Sequence, residues 1–162
     1  MARKHAVLSA SSAARWIACP PSARLNAEQS DTPSEYAAQG TDAHTLCEYK
    51  LRKALGERVR DPTKKLSSYD SEMEECAEFY VQFVMGLVAQ FREESADTMV
   101  SVEQRVDFSD FVPDGFGTAD TLIISGKTVC IVDYKHGKGI EVSADHNPQM
   151  MCYALGCVQM FD

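Results

Sequence analysis

The sequence predicts an α+β fold in which a central mixed sheet is flanked by helices. Two changes of pattern carry this prediction. Apolar residues recur at helical spacing up to about residue 95, whereas residues 98–135 show the alternating, β-branched runs of strands, and a helical segment follows. Helices followed by consecutive strands and a last helix are typical of an α+β or mixed α/β layout around a central sheet. Because the last predicted helix ends two residues from the end of the sequence, we expect that further strands are missing or come from another chain.

Length and composition predict one domain over residues 1–162, with 44% hydrophobic residues to fill its core. The 24 acidic and 16 basic residues give a net charge of −8, which argues against a protein that coats nucleic acid through general attraction. A local cluster of basic residues is equally compatible with a track for DNA and with a solvated helix face and loop. It consists of Lys50, Arg52, Lys53, Arg58, Arg60, Lys64 and Lys65.

Six cysteines without a C-x-x-C pair, and no apolar run suited to a signal peptide or membrane span, predict a cytoplasmic protein in a reducing setting.

The helices are predicted in chain order from caps and breakers. The first lies within residues 8–25, where one of three serines caps it and a proline pair stops it. The second runs from 34 to 55, with a break or restart open at Gly40-Thr41 and Gly56 as its C-cap. After a polar loop over 57–70, apolar spacing predicts the longest helix over 71–94. The capping serines are Ser9, Ser11 and Ser12, and the prolines are Pro20 and Pro21.

Strands are predicted over residues 98–108, 118–124 and 128–134, and a closing helix over about 147–160. Gly126-Lys127 suits the two-residue turn of a type II′ hairpin, because glycine occupies its first central position. Ser125 then pairs with Thr128. Stepping back along both strands places Asp120 opposite Asp133, with Cβ atoms roughly 4.5–5.5 Å apart.

Lys135 follows Asp133 by two residues and therefore projects from the same face of the strand. The rest of the hairpin is apolar on both faces, as in a covered sheet. Two facing carboxylates at the end of such a strand repel each other unless a cation neutralises them, and oxygen ligands favour Mg²⁺ or Mn²⁺. The alternative is a frayed edge at which both aspartates are solvated and Lys135 is a surface charge.

At these residues the sequence resembles the PD-(D/E)XK nuclease superfamily, in particular the RecB-like branch that includes phage-type exonucleases. Gly117-Thr118-Ala119-Asp120 and Val132-Asp133-Tyr134-Lys135 match its acid and D-x-K motifs. Gly40-Thr41-Asp42-Ala43-His44 matches the preceding metal-binding helix, and Gln149-Met150-Met151-Cys152-Tyr153 matches the following Gln-x-x-x-Tyr motif. The resemblance covers roughly residues 8–157 and implies a restriction-endonuclease-like core.

The resemblance implies Asp120, Asp133 and Lys135 as catalytic residues. It implies a Mg²⁺ or Mn²⁺ ion held by His44, by both aspartates and by the backbone carbonyl of Tyr134. Glu48 is one helical turn after His44 and is an additional candidate ligand, although an ordinary surface acid is the favoured interpretation. The resemblance also implies that Gln149 and Tyr153 help to hold the catalytic lysine or the DNA. For Tyr153 a packing role is left open. Lys138 is a candidate phosphate contact, although a solvated loop is the favoured interpretation.

Ser9 to Pro20 also resembles the start of RecB-like nucleases in which the cysteine of Cys-Pro binds an iron–sulfur cluster. Only Cys157 follows Tyr153 here, so we expect no cluster and predict that Cys19 packs at a helix end.

The function implied is metal-dependent hydrolysis of DNA, as an exonuclease of phage or recombination and repair type. Exonuclease and endonuclease readings share these residues. The partners implied are DNA and either a recombination protein or a second copy of the chain. No association with a membrane is expected. The alternative is an inactive DNA-binding or assembly module on the same scaffold.

Overall fold

The computed structural model describes residues 6–27, 34–137 and 141–161. Its elements confirm the α+β class. The helices are α1 (Ala13–Ala18), α2 (Ser22–Ala27), α3 (Glu35–Ala54), α4 (Ser71–Glu94) and α5 (Pro148–Phe161), with short 3-10 helices at Ala10–Ser12 and Thr63–Lys65. The strands are β1 (Met99–Asp107), β2 (Phe116–Ser125) and β3 (Thr128–Val132).

The three strands form an antiparallel sheet in the order β1-β2-β3. The parallel strands that would make this sheet a mixed one are not among the described residues. The restriction-endonuclease-like core therefore stays a prediction.

The chain divides into two compact units. One comprises residues 1–32, 104–119 and 141–162, and the other comprises residues 33–103 and 120–140. We call the second the α3–α4 unit, because it contains these two helices together with β3. In the part of the chain that the structure describes, no helix combines the length and the apolarity that a bilayer crossing requires.

Helices α3 and α4 supply the core of the α3–α4 unit. Ser34 caps α3 by accepting a hydrogen bond from the Ala37 N–H, and Asp70 caps α4 by accepting one from the Met73 N–H. The two helices pack against each other and against Ile123 of β2. The cluster contains Ala43, Leu46, Cys47, Leu51, Met73, Ala77, Tyr80, Val81, Val84, Val88, Val102 and Ile123.

Helix α3 is continuous through Gly40 and Thr41, so the break left open by the sequence does not occur. Its C-terminus has the Schellman arrangement, in which the Gly56 N–H donates to the Lys53 carbonyl and the Glu57 N–H to the Arg52 carbonyl. Gly56 has a φ of +90°, which confirms it as the residue that ends this helix.

The β2–β3 hairpin has the predicted register. Gly126 has a φ of +56°, and Ser125 pairs with Thr128, followed by each pair back to Thr121 and Val132. Strand β3 ends at Val132, two residues earlier than predicted. Asp133, Tyr134 and Lys135 therefore lie in the segment that leaves the sheet, not in the strand itself.

In the other unit, α5 packs against α1 and the first 3-10 helix. Ser12 occupies the N-cap position of α1, although its side chain donates to the Ser9 carbonyl instead of capping the helix. The proline pair ends α1 as predicted, but a new helix, α2, begins directly after it, because the φ of proline suits a first helical turn as well as a stop. Cys19 does lie at the end of α1 but is exposed, so the predicted packing role is wrong.

Candidate metal centre

Three side chains of the α3–α4 unit bring metal-binding atoms together. His44 lies on α3, Glu103 on β1 and Asp120 on β2, and one nitrogen or oxygen atom of each lies within 4.8 Å of the other two. The His44 Nδ1 is 3.1 Å from the Asp120 Oδ1. The structure thus brings together the predicted ligands His44 and Asp120 and adds Glu103, which the sequence analysis missed.

Packing fixes the backbone on both sides of this cluster. His44 follows the fully buried Ala43 and precedes the fully buried Leu46, so the helix that carries it is anchored in the core. Asp120 is 9% exposed and lies in a run of buried residues that extends from Ala119 to Ser125. Both ligands are therefore held on rigid elements, as a preorganised metal site requires.

Glu103 has an unusual backbone conformation. Its φ is +51° within β1, a left-handed conformation that non-glycine residues in strands rarely adopt and that costs on the order of 1–3 kcal/mol. Such a residue interrupts the alternation of faces along a strand and redirects a side chain, as bulges beside active sites do. Sequence periodicity could not reveal Glu103 because the alternating pattern of this segment suggested a regular strand.

The segment after β3 is attached to Asp120. The Tyr134 N–H donates a hydrogen bond of 2.6 Å to the Asp120 Oδ2. This bond holds the chain next to β2 after the last β2–β3 pair, Thr121 with Val132. Asp133 forms an ion pair with Lys135, and the Asp133 side chain is only 6% exposed whereas that of Lys135 is 49% exposed. The charge of Asp120 contributes to the raised pKa of Asp133, so these two carboxyl groups interact. That Asp120, Asp133 and Lys135 form one catalytic site stays a prediction. Asp133 is not part of the three-residue ligand cluster.

Three groups at the centre have raised pKa values. The hydrogen bond to Asp120 raises the pKa of His44. Burial, followed by the charges of Asp120 and Glu48, raises the pKa of Glu103 to about 7. Burial also raises the pKa of Asp133, against the opposing effect of Lys135. Burial is the main cause for both carboxyl groups, and the hydrogen bond to Asp120 is the main cause for His44. A divalent cation would favour the deprotonated form of all three groups.

The donor set fits such a cation. Two carboxylates and one imidazole offer oxygen and nitrogen ligands without a thiolate, a combination that suits Mn²⁺ and, with more water ligands, Mg²⁺. Glu103 and Asp120 place two carboxylates beside one imidazole, so the residues present fit a divalent ion on their own chemistry.

Tyr134 packs its ring at the edge of the centre. Its centroid lies 5.6 Å from that of His44 in an edge-on arrangement and 5.2 Å from that of Tyr80. Its hydroxyl lies 3.0 Å from the His136 Nδ1. Tyr80 is itself fixed by a hydrogen bond of 2.7 Å between its hydroxyl and that of Thr121. A chain of aromatic contacts thus runs from the core to the ligand His44. That the backbone carbonyl of Tyr134 binds the metal ion stays a prediction.

Other predicted site residues have different surroundings. Glu48 accepts a hydrogen bond of 2.8 Å from the Arg52 Nε, and the same guanidinium donates to the Val102 carbonyl at 2.8 Å. The Glu48 carboxylate, whose charge acts on Glu103, is therefore paired with Arg52. Of the predicted basic track, Lys50 pairs with Glu74 and Glu78, so part of that positive charge is neutralised within the unit. Lys138 lies outside the described residues.

Gln149 and Tyr153 form a local bridge in the other unit. The Gln149 Nε2 donates to the Tyr153 hydroxyl at 3.1 Å, and that hydroxyl donates to the Thr118 carbonyl at 2.6 Å. A Cβ on Gly117 would meet the Tyr153 ring at 2.9 Å. The helical spacing of the two residues is therefore used to fasten α5 to the start of β2.

The fold and this cluster define an α+β protein with a candidate divalent-metal centre. The chain belongs to the family described as "Protein of unknown function (DUF2800)", whose model matches residues 5–162. No solved structure matches the chain.

Proposed function

We propose that this protein is a Mg²⁺- or Mn²⁺-dependent DNA nuclease. The observation that carries the proposal is the convergence of His44, Glu103 and Asp120 within 4.8 Å, next to the Asp133–Lys135 ion pair. A set of metal-binding side chains near a lysine suits phosphodiester hydrolysis. The bound ion would neutralise the phosphate, and the lysine would stabilise charge on the attacking or leaving oxygen.

Each side chain has a role in this proposal. His44, Glu103 and Asp120 would hold the ion, which lowers the pKa of bound water and neutralises the scissile phosphate. The Lys135 amine, which is half exposed, orients the nucleophile or offsets the charge that develops on the phosphate. Asp133 positions that amine through their ion pair. The Tyr134 N–H donates a hydrogen bond to the Asp120 Oδ2 and so helps to position that carboxylate.

The setting proposed for this activity is the cytoplasm, since all six cysteines are free thiols and reducing conditions maintain them. The partners proposed are DNA and either a recombination protein or a second copy of the chain.

The test is incubation of the purified protein with linear and with circular DNA in Mn²⁺, Mg²⁺ or EDTA. We expect metal-dependent cleavage, and Asp120→Asn and Lys135→Met should each reduce its rate by at least roughly 100-fold because they remove a metal ligand and a charge-stabilising group. Lys127→Met is the matched control: it removes an exposed lysine from the turn of the same hairpin and should leave the rate unchanged. Cleavage of linear DNA alone would indicate an exonuclease.

An inactive DNA-binding or assembly module is the second candidate. It is favoured by the ion pair of Asp133, which keeps this carboxylate outside the three-residue cluster. Calorimetric titration with Mn²⁺ separates the candidates: a nuclease binds the ion and cleaves DNA, whereas DNA binding without Mn²⁺ affinity or cleavage identifies the module.

A further inference from the structure

A cavity of about 400 Å³ opens beside the catalytic candidate Lys135. Lys135, His136 and Tyr134 form one side of it, and Phe79 and Glu75 of α4 form the other. Phe79 is 73% exposed, an unusual position for a large aromatic side chain that is not used in the core. The cavity therefore combines flat aromatic surfaces with one cation and one carboxylate.

The aromatic wall is held in place before any ligand arrives. The Tyr134 hydroxyl is hydrogen-bonded to the His136 ring, and the two rings lie 5.9 Å apart at an interplanar angle of 31°. Tyr134 in turn contacts Tyr80 in the core. His136 is thus fixed by its neighbour, and a flat ligand entering the cavity would meet an ordered surface.

We propose that this cavity binds an unpaired nucleobase of the DNA strand whose phosphate is cut, a proposal that rests on the nuclease function. Aromatic side chains bind bases by stacking on either face, without regard to sequence. The Glu75 carboxylate offers an acceptor for the amino groups of bases, and the Lys135 amine lies where the attached phosphate needs a positive charge. The cavity lining thus offers one group for a base and one for its phosphate.

A second cavity, of about 580 Å³, extends the first. Both are lined by Cys76, His136 and Gly137, and the larger one adds the ring of Tyr36, which is 85% exposed. Two adjoining cavities with exposed aromatic rings have room for successive bases of one strand. A base paired within a duplex does not offer its faces in this way, so the substrate class inferred is single-stranded DNA or an unpaired DNA end.

The test is binding of a short single-stranded oligonucleotide containing 2-aminopurine, with Ca²⁺ replacing the catalytic metal. Stacking should quench the fluorescence, and Phe79→Ala should weaken binding roughly 5- to 100-fold and abolish the quenching. Phe83→Ala is the matched control, since Phe83 is a half-exposed phenylalanine one helical turn further along α4 and lines neither cavity. A blunt duplex should bind independently of Phe79.

Unchanged binding by Phe79→Ala, or an oligonucleotide that the wild-type protein does not bind, overturns the proposal. The measurement requires no hydrolysis, so the two proposals can fail separately. Binding that depends on Phe79 without any cleavage in Mn²⁺ would refute the nuclease function and retain the base-binding cavity. Cleavage in Mn²⁺ together with binding that does not depend on Phe79 would support the nuclease function and refute the base-binding cavity.

Discussion

At the residue scale, Glu103 combines a left-handed backbone, partial burial and a raised pKa. Each of these features has an energetic cost, and all three concern a side chain that faces Asp120 and His44. Strain and unfavourable charge that persist together at one point are characteristic of a binding site, because bound ligand offsets them. Glu103 is therefore the residue whose replacement most directly tests the proposed metal centre.

Glu103→Gln should weaken Mn²⁺ binding by at least roughly tenfold, since it replaces an anionic ligand by a neutral one of the same shape. Isothermal titration calorimetry measures the effect. Glu93→Gln is the control. It removes the same charge at an exposed position near the end of α4, outside the candidate ligand cluster, and this variant should bind Mn²⁺ like the wild type. Equal affinities for the two variants would exclude Glu103 as a ligand.

At the element scale, α3 carries His44, a candidate metal ligand, and is defined at both ends. Ser34 caps its N-terminus and Gly56 follows its C-terminus with a positive φ. The interior Gly40 has open space where a Cβ would be. The same substitution at the two glycines should therefore have opposite effects.

Gly40→Ala should raise the free energy of unfolding by about 0.5–1 kcal/mol, because alanine loses less backbone entropy in a helix. Gly56→Ala should lower it by about 1–2 kcal/mol, because a Cβ is strained in the left-handed conformation. Urea denaturation monitored by circular dichroism measures both. A gain in stability at position 56 would contradict the Schellman end of α3.

At the scale of the whole molecule, acidic residues exceed basic ones by eight, and three groups of the candidate centre have raised pKa values. A raised pKa in the folded state means that the folded protein binds more protons than the unfolded chain between the two pKa values. The stability that this binding contributes is complete below the unfolded pKa and is lost as the pH rises through the folded value.

For Glu103 this interval runs from 4.5 to about 7. The metal-free protein should therefore lose stability relative to Glu103→Gln as the pH rises from 4.5 to about 7, a difference that thermal unfolding of both proteins measures. Mn²⁺ should stabilise the wild type increasingly over the same interval, because the ion binds deprotonated ligands. A wild type that gains stability relative to the variant on raising the pH would refute the burial of this carboxylate.

Local patterns were sufficient for much of the fold. The bounds of α4 follow from an aspartate cap and apolar spacing, and the hairpin register follows from the glycine of its turn. His44 and Asp120, which the resemblance implies as metal ligands, lie 3.1 Å apart, while the resemblance itself stays a prediction. The early end of β3 and the start of α2 were not foreseen, because they depend on which backbone groups find partners in the folded chain.

The amino-acid sequence by itself determined the class of the fold, the turn at Gly126 and the register of the β2–β3 hairpin, because caps, turns and periodicity act between neighbours in the chain. Only the tertiary structure decided that Glu103 joins His44 and Asp120 and that Arg52 engages Glu48. Ligand distances, burial and charge all depend on residues far apart in the sequence, and these are fixed only when α3, α4 and the strands pack together.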